Sequence, residues 1–326
     1  MPLLLSEFDV RALLSMDDLI EVMARALASF STGGAMQPVR TVVEIAPQRA
    51  FLGTMPAFVA DPPALGAKLV SVYPDNHARG LPSHQATIVL LDPECGALLA
   101  ILDGRYITEA RTAAVSAVSA RLLAAPGPAV LAILGSGVQA RSHLDALGRV
   151  RELKEIRVWS PRPESRERFA REMSSRTRAT IRPAACVEDA VRGANLIALV
   201  SGATEPILRS DWVEAGAHVC AVGACRPTHR EMDGALVARA RLIVDSRAGA
   251  LAEAGDVILA MREGRFGPDH VAAEIGEVVA GRARGRTASH EVTVFKSLGM
   301  AIEDVAAADL VYRRACERGL GRGVAL

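Results

Sequence analysis

The run Ala129-Val-Leu-Ala-Ile-Leu134 ends on Gly135-Ser-Gly137-Val-Gln-Ala140, and this junction limits the fold more than any other part of the chain. An uncharged apolar run of this length suits a strand buried on both faces. The glycines allow a tight turn and close backbone approach, and Ala140–Leu147 then carries a helical pattern. Strand, G-x-G-x-x-A turn and helix together open a dinucleotide-binding unit, in which the helix N-terminus faces a pyrophosphate. Alone, such a turn also fits a plain strand–helix connection. The flanking elements favour the dinucleotide, with Gly135 and Gly137 at the site.

Beyond this junction short, mostly apolar runs recur at Ile156–Ser160, Ala179–Pro183, Leu196–Ser201, His218–Gly223 and Leu242–Asp245. Amphipathic stretches or short turns separate several of them, which predicts a Rossmann-type, doubly wound parallel sheet over residues 119–304. A further strand, Val292–Phe295, precedes a helical pattern from Met300 to Arg318 that Gly319 closes.

Residues 1–118 read differently. Ser15-Met-Asp-Asp18 suits a capping box, and Leu19, Ile20, Met23, Leu27 and Phe30 follow at helical spacing before Gly33-Gly34. Runs rich in β-formers follow at Val39–Ile45, Leu65–Tyr73, Ala86–Leu91 and Ala97–Leu102, the last two joined by a turn-rich Asp92–Gly96. Tyr106–Leu123 reads as a helix leading out. The fold class expected is therefore α/β: the Rossmann domain, plus an α+β domain over 1–118 completed by a returning C-terminal helix over 305–326.

Composition narrows the function classes. The chain has 326 residues, half of them hydrophobic, enough to bury a core in each of two domains. Lysine and arginine (38) balance aspartate and glutamate (37), and aromatics make up 4%, so neither nucleic acid nor an anionic membrane is the expected partner. Leu122–Ala140 carries no charge, but Pro126-Gly-Pro128 and the glycine turn break any spanning helix. The five cysteines form no C-x-x-C pair, and the N-terminus lacks the basic region of a signal peptide. These features suit a soluble, cytoplasmic protein without a structural metal.

The cofactor type is written about 20 residues past the glycines, where NAD binders carry an acid for the ribose 2′-hydroxyl. Here the chain reads Val158-Trp-Ser160-Pro-Arg162. Ser160 and Arg162 suit a 2′-phosphate, and a charged hydrogen bond of about 1.5–3 kcal/mol would favour NADPH over NADH by about one to two powers of ten. Arg162 as a solvated loop arginine is the alternative.

Three cations stand in apolar settings of the first domain: Arg40 in MQPVRTVV and Lys68 in GAKLV, both read as lying in strands, and Arg111 in EARTAAV on a helix. Each alone would be an ordinary surface charge; together they could grip one carboxylate.

These residues carry a resemblance. The blocks MQPVRTVV (36–43), GAKLVSVY (66–73), LPSHQAT (81–87), ITEARTAAVSA (107–117), ILGSGVQA (133–140), VGACRP (222–227), VDSRAGAL (244–251), EAGDV (253–257) and VFKSLGMAIED (294–304) fall in order along nearly the whole chain. The sequence resembles the ornithine cyclodeaminase/mu-crystallin family, with several blocks nearest the mu-crystallin branch. The resemblance implies a homodimer joined through sheets of the first domains, which would then serve substrate binding and dimerisation. It implies that Arg40, Lys68 and Arg111 hold a substrate carboxylate beside the nicotinamide. It implies that Ser83, His84, Arg111, Thr112, Val138, Gln139, Ser201, Val222, Lys296, Ser297 and Leu298 contact the cofactor.

One departure bears on the chemistry. Cyclodeaminases carry an aspartate proposed as base where this chain has Cys225. Loss of an acid–base group typically costs about 10²–10⁴-fold, so a reductase that starts from a ready-made imine is expected rather than a lyase. The expected activity is NADPH-dependent reduction of cyclic 2-imino acids, Δ1-pyrroline-2-carboxylate or Δ1-piperideine-2-carboxylate, to proline or pipecolate. Three cations near an iminium call for a balancing carboxylate, for which Glu253 is the candidate. Ornithine cyclodeaminase, an alanine dehydrogenase, and a non-catalytic NADPH or small-molecule binder are the alternatives.

Overall fold

The computed structural model describes residues 1–325. It falls into two compact units, one made of Met1–Arg111 with the segment from Gly299 onward, the other of Thr112–Leu298.

The first unit opens with β1 (Leu3–Leu5), α1 (Glu7–Leu13), α2 (Met16–Ser31) and β2 (Ala35–Met36). Strands β3 (Thr41–Ile45), β4 (Ala50–Ala60), β5 (Pro63–Val72), β6 (His84–Leu91) and β7 (Leu98–Asp103) follow, and then α3 (Gly104–Leu123) begins. From β4 to β7 the chain is an antiparallel meander. The Ser15 hydroxyl accepts the Asp18 amide as expected, while a complete capping box forms at Ser6 with Asp9, ahead of α1. The pattern of residues did not reveal α1, nor β4, the longest strand. Gly53 and Pro56 mask β4, and the register explains why Pro56 is tolerated. On the outer side β3 pairs with Ala50–Thr54 and β2 with Phe58 and Val59, leaving Pro56 in the gap between them.

The second unit contains β8 (Ala129–Leu134), α4 (Val138–Val150), β9 (Leu153–Trp159), α5 (Pro163–Met173), β10 (Thr180–Pro183), α6 (Val187–Val191) and β11 (Leu196–Leu199). It continues through β12 (His218–Ala221), α7 (Gly234–Arg239), β13 (Arg241–Val244), α8 (Arg247–Glu253), α9 (Gly255–Arg262), β14 (Val271–Glu274), α10 (Ile275–Val279) and β15 (Thr293–Lys296). The sheet is parallel throughout, in the order β10-β9-β8-β11-β12-β15-β13-β14. Strand order reverses between β8 and β11, the switch point beside which open α/β sheets bind ligands. Apolar clusters cover both faces of the sheet, which is why its strands read as continuous apolar runs. Ser160, Ser201 and Gly223, read as strand ends, lie just past the ladders in the loops at the carboxyl edge.

The chain re-enters the first unit as α11 (Ala301–Arg318), which packs on α2, β4, β5 and β6, and ends with β16 (Arg322–Gly323) beside β1. Gly319 closes α11 in the left-handed region at φ 63°, and its amide bonds back to the helix. Among the described residues no helix is long and apolar enough to cross a membrane. Gly319→Ala should destabilise the protein by about 1–2 kcal/mol, the cost of a side chain in that conformation. Urea unfolding monitored by circular dichroism checks this; an unchanged midpoint would show that the helix end relaxes without cost.

Candidate active site

In the first unit, strand alternation turns Lys68 inward on β5 together with Ala64 and Val70. Lys68 is 1% exposed, and its Nζ lies 2.6 Å from Asp304 Oδ2. Its ammonium also donates to Thr108 Oγ1 at 3.3 Å. Arg111, on α3, donates from Nε to the other Asp304 oxygen at 3.0 Å and from Nη1 to Glu303 Oε2 at 2.8 Å. Asp304 therefore bridges two buried cations. Both acids stand in the first turn of α11, where the helix dipole favours them. Gln37 accepts the Ile302 amide at 2.9 Å and ties the MQPVR segment to that helix start.

Arg40 does not lie in a strand as expected. It stands just ahead of β3, whose pairing begins at Thr41, and its Nη2 donates to the Gly299 carbonyl at 3.0 Å. Gly299 has φ +79°, and a Cβ there would stand 2.4 Å from Arg111 Nη1, so glycine is required under the guanidinium.

Burial lowers the Lys68 ammonium, Asp304 raises it, and Arg111 and Arg40 lower it again, leaving it at about 8. Burial would lift the Asp304 carboxyl, but Arg111 and Lys68 pull it below the usual carboxylate range. His84, half-buried at the start of β6, is held down to about 4 by burial and then by Lys68 and Arg111, so its imidazole is neutral at neutral pH. Ser83 beside it is exposed and accepts the Tyr73 amide at 2.8 Å. The balancing charge assigned from sequence to Glu253 is supplied within this unit by Asp304 and Glu303. Glu253 itself ends α8 of the second unit.

In the second unit, Gly135 has φ +128° and a Cβ on it would stand 2.5 Å from the Val200 carbonyl. Gly137 is the exposed N-cap of α4, gives no side-chain cap, and has open space where a Cβ would point. The buried Gln139 Oε1 has no hydrogen-bond partner among the described residues. An uncapped helix start, a glycine-lined approach and an unmet acceptor fit a dinucleotide phosphate and its neighbouring groups. Val138 is exposed, and Thr112, on α3, is buried. Ser160 is buried, its hydroxyl donating to the Arg162 carbonyl at 3.3 Å, while Arg162 is exposed at the N-cap of α5. Val222, Lys296, Ser297 and Leu298 are buried at the ends of β12 and β15, and the Leu298 amide donates to Asp245 Oδ2 at 2.5 Å. Cys225 is exposed in the loop after β12, where its thiol donates to the Val222 carbonyl at 3.2 Å.

Residues 1–319 match the family described as ornithine cyclodeaminase/mu-crystallin. The chain belongs to this family. It is 49% identical over 297 residues to the ketimine reductase mu-crystallin of Mus musculus, covering 90% of this chain and 91% of that protein. Its fold superposes with a TM-score of 0.96 on the Δ1-pyrroline-2-carboxylate reductase of Thermococcus litoralis in complex with NADH and L-proline. The identity there is 39%, over 99% of this chain and all (100%) of the other. An archaeal alanine dehydrogenase dimer with bound NAD is 31% identical at a TM-score of 0.94, with 99% of each chain covered.

Within this family frame, the residues that sequence reasoning missed are Glu303, Asp304, Glu231 and Asp256. Asp304 had a readable signal, since Ala301, Asp304, Val305 and Ala308 share one face of α11 and all are buried. Removing one partner of a buried ion pair leaves the others uncompensated, at a cost of about 3–5 kcal/mol. Asp304→Ala should lose that much in chemical denaturation, whereas Glu94→Ala on an exposed turn should lose almost nothing. A loss below about 1 kcal/mol for Asp304→Ala would mean that the cations are not paired as described.

Proposed function

We propose that this chain is an NADPH-dependent reductase of cyclic 2-imino acids, forming proline from Δ1-pyrroline-2-carboxylate or pipecolate from Δ1-piperideine-2-carboxylate. The observation that carries the reading is the buried cluster in which Asp304 and Glu303 hold Lys68 and Arg111, with Arg40 tied to the same helix start. Groups with strongly shifted ionisation cluster where catalysis occurs, and a buried lysine brought to about 8 is such a group.

Arg40 and Arg111 are planar donors suited to a carboxylate. Holding the substrate by its carboxylate makes the reduction effectively intramolecular. Reduction of C=N also needs a proton at nitrogen, and the Lys68 ammonium, brought down to about 8, holds one at Nζ at neutral pH. Two of the three cations, Lys68 and Arg111, face two buried carboxylates, which limits the repulsion that an iminium would meet.

The second unit is the dinucleotide-binding unit in this reading, with Gly135, Gly137 and the start of α4 at the pyrophosphate. When bound, the nicotinamide supplies the hydride. The Thermococcus litoralis relative was captured with NADH. Preference for NADPH here is supported by this chain's own Ser160 and exposed Arg162, with no acid at that strand end. Cys225 supports reductase over cyclodeaminase, because its thiol is no substitute for a carboxylate base.

Homodimerisation through the first unit is part of the proposal. Met36, Val42, Val43, Leu52 and Leu69 are exposed on its sheet, apolar side chains that a partner subunit would cover.

The test is an assay of the purified protein with NADPH and NADH against both cyclic imines and L-ornithine. NADPH should exceed NADH at least about tenfold in kcat/KM, Arg162→Ala should shrink that ratio through the NADPH KM, and ornithine should release no ammonia. Equal use of both cofactors would overturn the NADPH assignment. Ammonia release from ornithine at or above the rate of imine reduction would overturn the reductase.

A further inference from the structure

Glu231 is fully buried in the second unit and belongs to no part of the glycine motif. Its carboxylate joins two separate loops. Oε1 accepts the Ser201 amide at 2.9 Å and the Ser201 hydroxyl at 2.6 Å, and Oε2 accepts the Gly223 amide at 2.7 Å. Ser201 follows β11 and Gly223 follows β12. The contacts are too close for any side chain: a Cβ on Gly223 would stand 2.2 Å from the Ser201 carbonyl and 2.5 Å from Glu231 Oε2. Gly135, after β8, is packed in the same way against Val200. The loops leaving three neighbouring parallel strands therefore touch in series at the switch point, and Glu231 fastens the last two.

The support behind Glu231 is also buried. Asp256 Oδ1 accepts the Glu231 and Met232 amides at 2.8 and 3.0 Å, which fixes the backbone that presents the carboxylate. Lys296 Nζ stands 2.9 Å from Asp256 Oδ2, and both side chains are wholly enclosed.

We propose that Glu231 is a positioning residue for the dinucleotide site: in its charged form it holds the loops after β11 and β12 in the arrangement that binds the nicotinamide cofactor. This rests on the reading of the second unit as dinucleotide-binding. An ionised carboxylate only accepts, and every group presented to Glu231 in these contacts is a donor. A protonated carboxyl loses the charge that strengthens these bonds; among them its O–H finds an acceptor only at the Ser201 hydroxyl, whose bond would reverse, and against either amide it would lose a bond.

The charged groups facing Glu231 are Lys296 from β15 and Asp256 from α9, and Cys225 in the loop after β12 acts on Lys296. Arg230, its neighbour in the chain, is instead paired with Glu263. Burial pushes the Glu231 carboxyl up, Lys296 and the Ser201 bonds draw it down, and Asp256 pushes it up again, to about 7. The carboxylate is thus charged above that pH, and its hold on the loops is lost as pH falls through it.

The test is the Kd for NADH, measured by fluorescence titration between about pH 6 and 8; NADH avoids the 2′-phosphate of NADPH, which itself titrates near 6. For the unmodified protein Kd should rise about tenfold from pH 8 to 6, as one proton displaces the binding-competent form. Glu231→Gln, which places an amide donor against an N–H donor, should bind NADH about tenfold more weakly at pH 8 and show a flat profile. Ser201→Ala removes one donor, so it should weaken binding less and keep the pH response. A Glu231→Gln variant with unchanged Kd and unchanged pH response would overturn the proposal while the dinucleotide reading stands. Should that variant not fold, a flat profile for the unmodified protein overturns it equally. Absence of any dinucleotide binding by the unmodified protein would overturn both.

Discussion

The structure depends on one carboxylate, that of Asp304, buried between Lys68 and Arg111. Without a counter-charge Lys68 would give up its proton, since burial and the neighbouring Arg111 guanidinium both penalise its ammonium. Asp304 holds Lys68 close to its charged form and pairs Arg111, and the start of α11 in turn favours the acid. The requirement propagates outward. Gly299 must be glycine so that Arg111 can lie over it, and Gln37 must reach the α11 amide. Through these contacts the returning helix is part of the cluster as well as part of the core. Lys68 is left charged at neutral pH yet ready to give up a proton, a combination that a surface lysine does not have.

The second unit solves a different problem with similar means. Its parallel sheet ends at a row of loops that must approach closely and still leave backbone donors open for a ligand. Glycine at 135 and 223 permits the approach. Buried charge then fixes it, through Glu231 between the loops and through the Lys296–Asp256 pair behind them. Polar networks of this kind are costly when half-satisfied and rigid when complete.

The Rossmann half was the more legible part of the sequence because its signals are local. Ala129–Leu134 is a strand with those limits, and the helical run after the glycines is α4. Gly319 likewise closes α11 where the pattern placed the stop. Gly53 and Pro56 hid β4 because their tolerance depends on where β2 and β3 end. The cations were visible as charges in apolar settings, but their partners were not. An acid on a helix is ordinarily solvated; the apolar face that Asp304 shares on α11 signals its burial, but only a contact across 193 residues of chain shows that its partner is Arg111. Glu253 was chosen for the counter-charge from its block in the sequence; proximity in the fold assigns that role within the first unit to Asp304 and Glu303.

The central claim is that Asp304 sets the ionisation of Lys68 and that Lys68 serves the reduction. The pH dependence of kcat/KM for cyclic imine reduction tests this most directly, compared between the unmodified protein and Asp304→Asn. The unmodified protein should lose activity as pH rises through about 8, where Lys68 gives up its proton. Asp304→Asn removes the group that raises that value, so the same limb should move to lower pH by at least about one unit, the effect of losing an opposite charge in contact. In kcat/KM the limb reports the free enzyme and the free substrate, and the free substrate's ionisation is identical in both proteins. A limb near the ordinary lysine value, or one that stays in place in Asp304→Asn, would contradict the account.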